Sequence, residues 1–309
     1  LRVQPALGHD GRGLFGEPFS RQYVHLGHNP LSIQDISAHG HPPLISDWGN
    51  YTIAFNGEVY NFKTIRIELE KIGYQFVSDS DTEVILYDYT AWGIGCLEKF
   101  IGMFAVYILD QKKKKINLVR DRAGVKPLYY YENEQDFLFS SELKSFHEHP
   151  AFKKELNKEV LPYYFQFGYI PAPHTIFKNT YKLKQVHYLE YDLQTRTSKI
   201  SKYWDVNECY KQDRFDKSEV EILDDLEELL SDAVELRMVS DVQVGVFLSG
   251  GYDSSLVTAL LSKNTDRKLH TFSIGFNEKK YNEMEHAKTT DKHSQTEHTE
   301  SYVAKKEML

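Results

Sequence analysis

The densest chemistry in this chain lies in the run Val244 to Val257, "VGVFLSGGYDSSLV". An apolar stretch ends there in Ser249, Gly250, Gly251, Tyr252, Asp253, Ser254 and Ser255. Glycines at a strand-to-helix turn let the backbone approach a ligand closely, and the free N–H groups opening the next helix favour an anion. Three hydroxyls around the same point add donors, so the stretch suits a phosphate group. It lacks the G-x-x-x-x-G-K-[ST] spacing of the usual nucleoside-triphosphatase loop. Elsewhere the residues read more plainly. Asn56-Gly57 in "AFNGEVYNF" has the signature of a hairpin turn, and Asp81 in "SDSDTEVIL" that of a helix N-cap. Lys112 to Lys115 reads as a solvated hairpin tip. His25 with His28, and His39 with His41, have no third ligand at a metal-binding spacing. Tyr129 to Tyr131, Tyr163 and Tyr164 fit strand and core aromatics.

The elements that must position these residues change style near residue 205. Before it, "YTIAFNGEVYN" (51–61), "GMFAVYILD" (102–110), "KINLVRD" (115–121), "PLYYYE" (127–132) and "FLFSSE" (137–142) read as strands of an antiparallel meander. Phe62, Ile65, Leu69 and Ile72 recur at helical spacing, and "DTEVILYDYTAWG" forms a second helix behind Asp81. A layered α+β domain follows. After residue 205 helices and strands alternate. Leu223, Leu226, Leu230 and Ala233 share one face of a helix over 218–238, with Ser218 as N-cap and Glu221 three residues on. Strand 242–249 leads into helix 253–263, and strand 269–276 into helix 281–294. That alternation predicts a parallel sheet covered on both faces, with ligands at the carboxyl ends of its strands.

Composition limits the function. The 309 residues are 41% hydrophobic and 14% aromatic, enough for two cores, hence domains 1–205 and 206–309. A net charge of -8 argues against affinity gained by neutralising phosphodiester backbones, so nucleic acid is not an expected partner. The two cysteines, Cys96 and Cys209, read as structural or incidental thiols. No leader and no long apolar run occurs, so a cytoplasmic protein without a membrane partner is expected, as a homodimer. Leu1 stands where a Met is usual and "YVAKKEML" reads like the opening of a helix, so both ends read as cut.

The loop "LSGGYDSS" resembles the S-G-G-x-D-S-S pyrophosphate loop of ATP-pyrophosphatases, which cleave ATP between its α- and β-phosphates. "AFNGEVYNF", "SDSDTEVIL", "GMFAVYILD", "RDRAGVKPLYY", "SSELKS", "GYIPAPHTIF", "RMVSDVQVGVFLSGGYDSS" and "HTFSIGF" together are similar to glutamine-hydrolysing asparagine synthetase along essentially the whole chain. The resemblance implies an α+β N-terminal-nucleophile sandwich, a class II glutamine amidotransferase, followed by the start of an α/β ATP-pyrophosphatase domain. Its substrates would be glutamine, aspartate and ATP. Asn56 and Gly57 would form the oxyanion hole, and Glu58 and Asp81 would recognise the glutamine ammonium. Leu248 and Ile274 would grip adenine through backbone groups, and Ser249, Gly250, Gly251, Asp253, Ser254 and Ser255 would hold the pyrophosphate. Asp253 would also ligate Mg2+.

Two departures qualify the amidotransferase half. The family's nucleophile is a cysteine at the mature N-terminus, where this chain has Leu1, and neither Cys96 nor Cys209 can replace it. Pro30 stands where the family has an arginine for the glutamine carboxylate, and "ALGHDGRGLFGEP" (6–18) lacks the R-G-P-D run. The chain as written is therefore expected not to hydrolyse glutamine. Three further readings stand beside the main one: a ligase for another carboxylate such as a sugar acid, to which Tyr252 could contribute; a β-lactam-synthetase-like enzyme; and an inactive remnant.

Overall fold

Apolar alternation organises the first part of the chain into strands that pair as neighbours. The computed structural model describes residues 19–21, 24–26, 43–46, 49–265, 268–276 and 283–303. It divides into two compact units, Leu1–Gln212 and Asp213–Leu309. The first unit opens with β1 (Phe19–Arg21), β2 (Val24–Leu26), β3 (Leu44–Ile45) and β4 (Tyr51–Val59). Helices α1 (Phe62–Lys71) and α2 (Asp81–Trp92) follow, then β5 (Gly102–Asp110), β6 (Lys115–Arg120), β7 (Tyr129–Glu132) and β8 (Phe137–Ser140). It closes with α3 (Leu161–Phe167), β9 (Thr180–Lys182), β10 (His187–Asp192), β11 (Thr197–Lys202) and α4 (Val206–Tyr210).

The meander read from the sequence splits in two. One sheet runs β11-β10-β6-β5-β4-β3, while β7 and β8 leave it to form a second sheet ordered β8-β7-β9. The inner faces of the two sheets supply one core. Ala105, Tyr107 and Leu109 of β5, with Ile116 and Leu118 of β6, meet Tyr130, Phe137 and Phe139. Tyr107 stacks on Phe139 with ring centres 4.8 Å apart, and Phe137 on Tyr191 at 4.1 Å. Each such buried side chain contributes about 1.5–3 kcal/mol. α2 packs against β3 and β4. Nearly all of it, Asp81 through Tyr89, is buried, which explains its weak amphipathic signal.

Several local expectations change. Ile72 lies beyond the last turn of α1 as its C-cap and is exposed, whereas Phe62, Ile65 and Leu69 are buried. Lys112 to Lys114 form the exposed β5–β6 tip, where the Asp110 carboxylate accepts the Lys113 N–H, but Lys115 belongs to β6 and pairs with Glu190 at 2.6 Å. Tyr130 and Tyr131 are buried, but Tyr163 and Tyr164 lie on α3, which buries no residue.

The second unit comprises α5 (Glu219–Leu236), β12 (Gly245–Phe247), α6 (Tyr252–Lys263), β13 (His270–Phe276), α7 (Met284–Ser294) and β14 (Glu297–Val303). Ser218 caps α5 in a full capping box with Glu221, as S-x-x-E foretells. The parallel sheet is ordered β12-β13-β14. Its coverage departs from the two-sided expectation. β13 buries Thr271 and Ser273 and leaves Phe272 and Ile274 exposed, so among the described residues one face is open. Leu223 and Leu226 of α5 are likewise exposed. Tyr302 and Val303, read as a helix opening, end β14, and the residues after them lie outside the described set.

Candidate functional site

In the first unit the site grows from β4. Asn56-Gly57 is not a hairpin turn: both residues lie inside β4, opposite Ala105 and Phe104 of β5. The turn signature fails because the strand needs glycine for a close approach. Gly57 has φ +141°, and a Cβ there would stand 2.0 Å from the Met103 carbonyl oxygen. Phe104 faces β6, since its carbonyl accepts the Asp121 N–H at 2.9 Å and its N–H donates to Asp121 Oδ2 at 3.2 Å. In an antiparallel ladder, the residue opposite Phe104 then turns its own N–H away from β5. Among the described residues β3 pairs with Thr52 and Ile53 of β4, so within that set the Gly57 N–H opens on the edge of β4 beyond the end of β3. Val59, facing the same way, donates its N–H to Asp81 Oδ2 at 3.0 Å.

Asp81 is not the N-cap of α2. Ser80 holds that place, its hydroxyl accepting the Thr82 N–H at 3.0 Å, and Asp81 is the first helical residue with its carboxylate turned to β4. Asp81 and Glu58 are both buried. Burial pushes the Asp81 carboxyl up to about 7, opposed by the Val59 N–H and reinforced by the Glu58 charge. Burial also raises Glu58, while Lys126 opposes the shift. Asn56 donates from Nδ2 to Ser141 Oγ at 3.1 Å, which fixes its amide beside Gly57.

Three residues with structural roles here were not identified in the sequence. Glu83 accepts the Ser78 N–H at 2.8 Å and the Ser78 hydroxyl at 2.6 Å, clamping the approach to α2. The spacing Ser80-x-x-Glu83 was the available signal for this helix start. Asp121, fully buried, accepts the N–H groups of Val125 at 2.9 Å and Lys126 at 3.0 Å as well as that of Phe104, and so folds "RDRAGVK" around the β4–β5 pair. Ser141, in "SSELKS", approaches Asn56 only through tertiary folding. Cys96 is buried in the 3-10 turn Gly93–Glu98, where burial first and the Asp88 charge second push its thiol well up, so it remains protonated. Cys209 is exposed on α4. Leu1, Pro30, the 6–18 segment, His28, His39 and His41 lie outside the described residues, as does the side chain of His25.

In the second unit Ser249 to Ser255 follow the carboxyl end of β12. Gly250 has φ +83°, and a Cβ there would stand 2.5 Å from the Ala287 amide nitrogen, so the loop lies directly on the first turn of α7. The hydroxyls converge. Ser249 Oγ and Ser254 Oγ are 3.0 Å apart, the Ser249 N–H donates to Ser254 Oγ at 3.3 Å, and the Gly251 N–H donates to Ser249 Oγ at 3.3 Å. Ser255 Oγ meets Thr290 Oγ1 of α7 at 3.0 Å. Gly251 is the N-cap of α6 and brings no capping side chain, which leaves the first amides of the helix for a ligand. Asp253 is exposed in the first turn and Tyr252 is 97% exposed. Leu248 is buried, and its N–H donates to the Phe272 carbonyl at 2.8 Å. Ile274 lies two residues further along β13, beside the point where β12 turns into the loop.

Comparison with known proteins matches both units. A family described as glutamine amidotransferase domain matches residues 3–204, and one described as asparagine synthase matches residues 225–309. The chain belongs to the glutamine amidotransferase domain family, and its second unit matches asparagine synthase. Its relatives include a Methanocaldococcus jannaschii protein provisionally named asparagine synthetase [glutamine-hydrolyzing] 2, 39% identical over 97% of this chain and 60% of its own length. Another is asparagine synthetase [glutamine-hydrolyzing] 3 of Bacillus subtilis, 36% identical over 88% of this chain and 44% of its own length. The chain thus spans less than two thirds of these synthetases. Among solved structures, glutamine phosphoribosylpyrophosphate amidotransferase of B. subtilis aligns with 88% of this chain and 50% of its own, at TM-score 0.41 and 14% identity. The amidotransferase match falls on the antiparallel sheets of the first unit and the asparagine synthase match on the parallel sheet of the second.

Proposed function

We propose that the protein containing this chain is a glutamine-dependent asparagine synthetase, a carbon–nitrogen ligase. The aspartate side-chain carboxylate attacks the α-phosphorus of ATP, forming β-aspartyl-AMP and releasing pyrophosphate. Ammonia derived from glutamine then attacks the acyl carbon and expels AMP. The observation that carries this reading is the loop at the end of β12, where the Ser249 and Ser254 hydroxyls and the open amides of α6 converge.

In this reading Ser249, Gly250, Gly251, Ser254 and Ser255 hold the pyrophosphate, and the backbone of Ile274 holds adenine; Leu248, whose N–H is taken by the Phe272 carbonyl and whose carbonyl is taken by the Ser273 hydroxyl, does not share that role. Magnesium prefers oxygen ligands and commonly takes one or two carboxylates plus substrate phosphates, and a single exposed Asp253 beside the loop fits that donor set. It would neutralise phosphate charge when bound. In the amidotransferase unit, the outward Gly57 N–H and the Asn56 amide receive the oxyanion of glutamine hydrolysis, and Asp81 and Glu58 hold the substrate ammonium. No described helix is long and apolar enough to cross a membrane, and the reading needs no membrane partner.

ATP–pyrophosphate exchange tests the reading. The full-length protein is expected to return labelled pyrophosphate to ATP only when aspartate is present. Exchange supported by another carboxylic acid and not by aspartate would replace the acceptor, and no exchange with any carboxylate would remove the ligase reading.

A further inference from the structure

We infer that Ser273 is a positioning residue that ends the β12–β13 ladder and thereby leaves the Ile274 N–H free for the nucleotide base. The inference rests on the ATP-binding reading above and adds a residue to it. Phe247 and Phe272 are register partners, and the Leu248 N–H donates to the Phe272 carbonyl, so the backbone of Phe272 faces β12. Backbone groups two residues apart on a strand face the same side, which turns the Ile274 N–H and C=O toward β12 as well. A continuing parallel ladder would next join the Ile274 N–H to the Leu248 carbonyl.

A different donor occupies that acceptor. The Ser273 hydroxyl donates to the Leu248 carbonyl oxygen. Ser273 is buried, so its hydroxyl has no competing water, and the bond is made inside the unit. Leu248 is buried too, and with its N–H on Phe272 and its carbonyl on Ser273 its backbone is held in place. β13 continues to Phe276 while β12 stops at Phe247, and the chain after Leu248 departs into the Ser249–Ser255 loop. Among the described residues, the Ile274 N–H and C=O therefore form a donor–acceptor pair on an open strand edge beside the Ser249–Ser255 loop. That pair matches the acceptor N1 and donor N6 amino group of adenine.

Amide hydrogen exchange at Ile274 in the full-length protein, with and without ATP, tests this for the wild type, Ser273→Ala and Ser273→Thr. In the free wild type the Ile274 amide is expected to exchange at least about tenfold faster than that of Phe272, and ATP is expected to slow it. Ser273→Ala releases the Leu248 carbonyl to the Ile274 N–H. It is expected to slow Ile274 exchange without ATP and weaken ATP binding about three- to tenfold, the worth of one backbone hydrogen bond that must be broken again. Ser273→Thr keeps the hydroxyl and is expected to retain the wild-type pattern. An Ile274 amide as protected as Phe272 in the free wild type overturns the inference even if no variant folds. So does a Ser273→Ala protein with unchanged Ile274 exchange and ATP affinity within about twofold of wild type. Wild-type protein that binds no ATP defeats the functional reading instead, and the exchange of the free protein still decides the role of Ser273.

Discussion

At Gly57 a strand outruns its neighbour β3, and at Ile274 a strand outruns its neighbour β12. Among the described residues, both candidate sites thus begin as backbone groups on a strand edge that the next strand does not cover. Their finishing differs. Around Gly57 the partners are charged and buried: Asp81 receives the Val59 N–H, Glu58 lies beside it, and Asp121 holds the neighbouring loop. Around Ser249 the partners are neutral hydroxyls and helix amides, largely open to solvent. The difference fits the two proposed ligands: buried carboxylates suit a small substrate with an ammonium group, whereas a polyphosphate brings its own charge and needs donors.

The strongest way to break this contrast is Gly57→Ala. Its Cβ would collide with the Met103 carbonyl, and the two backbones cannot separate without disrupting the β4–β5 pair. We expect a loss of about 4 kcal/mol or more in urea unfolding. A loss under about 1 kcal/mol would show that the strands can separate there.

The next effect is electrostatic. Burial pushes the Asp81 carboxyl up to about 7 in the folded protein, from the ordinary aspartate value of 3.8. Its contribution to stability is therefore fully present below pH 4 and is lost as pH rises through about 7. Asp81→Asn should remove that slope, leaving a protein more stable than wild type at pH 8 by roughly 2–4 kcal/mol yet poor at binding glutamine. Denaturation midpoints from pH 4 to 8 check it. Identical slopes for the two proteins would mean that Asp81 is hydrated and ionised throughout.

Gly250→Ala carries a smaller cost, roughly 1–3 kcal/mol, because the Ala287 turn and the His286 side chain can give way where strand backbones cannot. ATP affinity should fall more than tenfold, measured by calorimetry, with glutamine binding unchanged. The smallest effect is Ser254→Ala, which removes one hydroxyl shared by Ser249 and Gly251. A three- to tenfold loss of ATP affinity is expected, about 1 kcal/mol. An unchanged affinity would assign the loop's binding to its amides alone.

Much of this was legible locally. The S-G-G-x-D-S-S loop, the Ser218–Glu221 capping box and the strands of β5 and β6 are short-range patterns, and the structure keeps them nearly residue for residue. The strand read over 51–61 holds, and the local turn and cap signatures within the chain fail where a distant partner decides. Asn56-Gly57 has turn chemistry, but the approach of Met103 makes the glycine a strand residue. Asp81 has cap chemistry, but Val59 claims its carboxylate and Ser80 takes the cap.

The sequence by itself determined which residue types stand together along the chain, and hence the hydroxyl-rich glycine loop and the matches to known families. Only the tertiary structure decided that Ser141 meets Asn56, that Asp121 holds Phe104, and that Ser273 reaches Leu248. The physical reason is separation. Hydrogen bonds between residues far apart in sequence depend on register and strand length, and a strand's end is set by what its neighbours pair with, which no local pattern records.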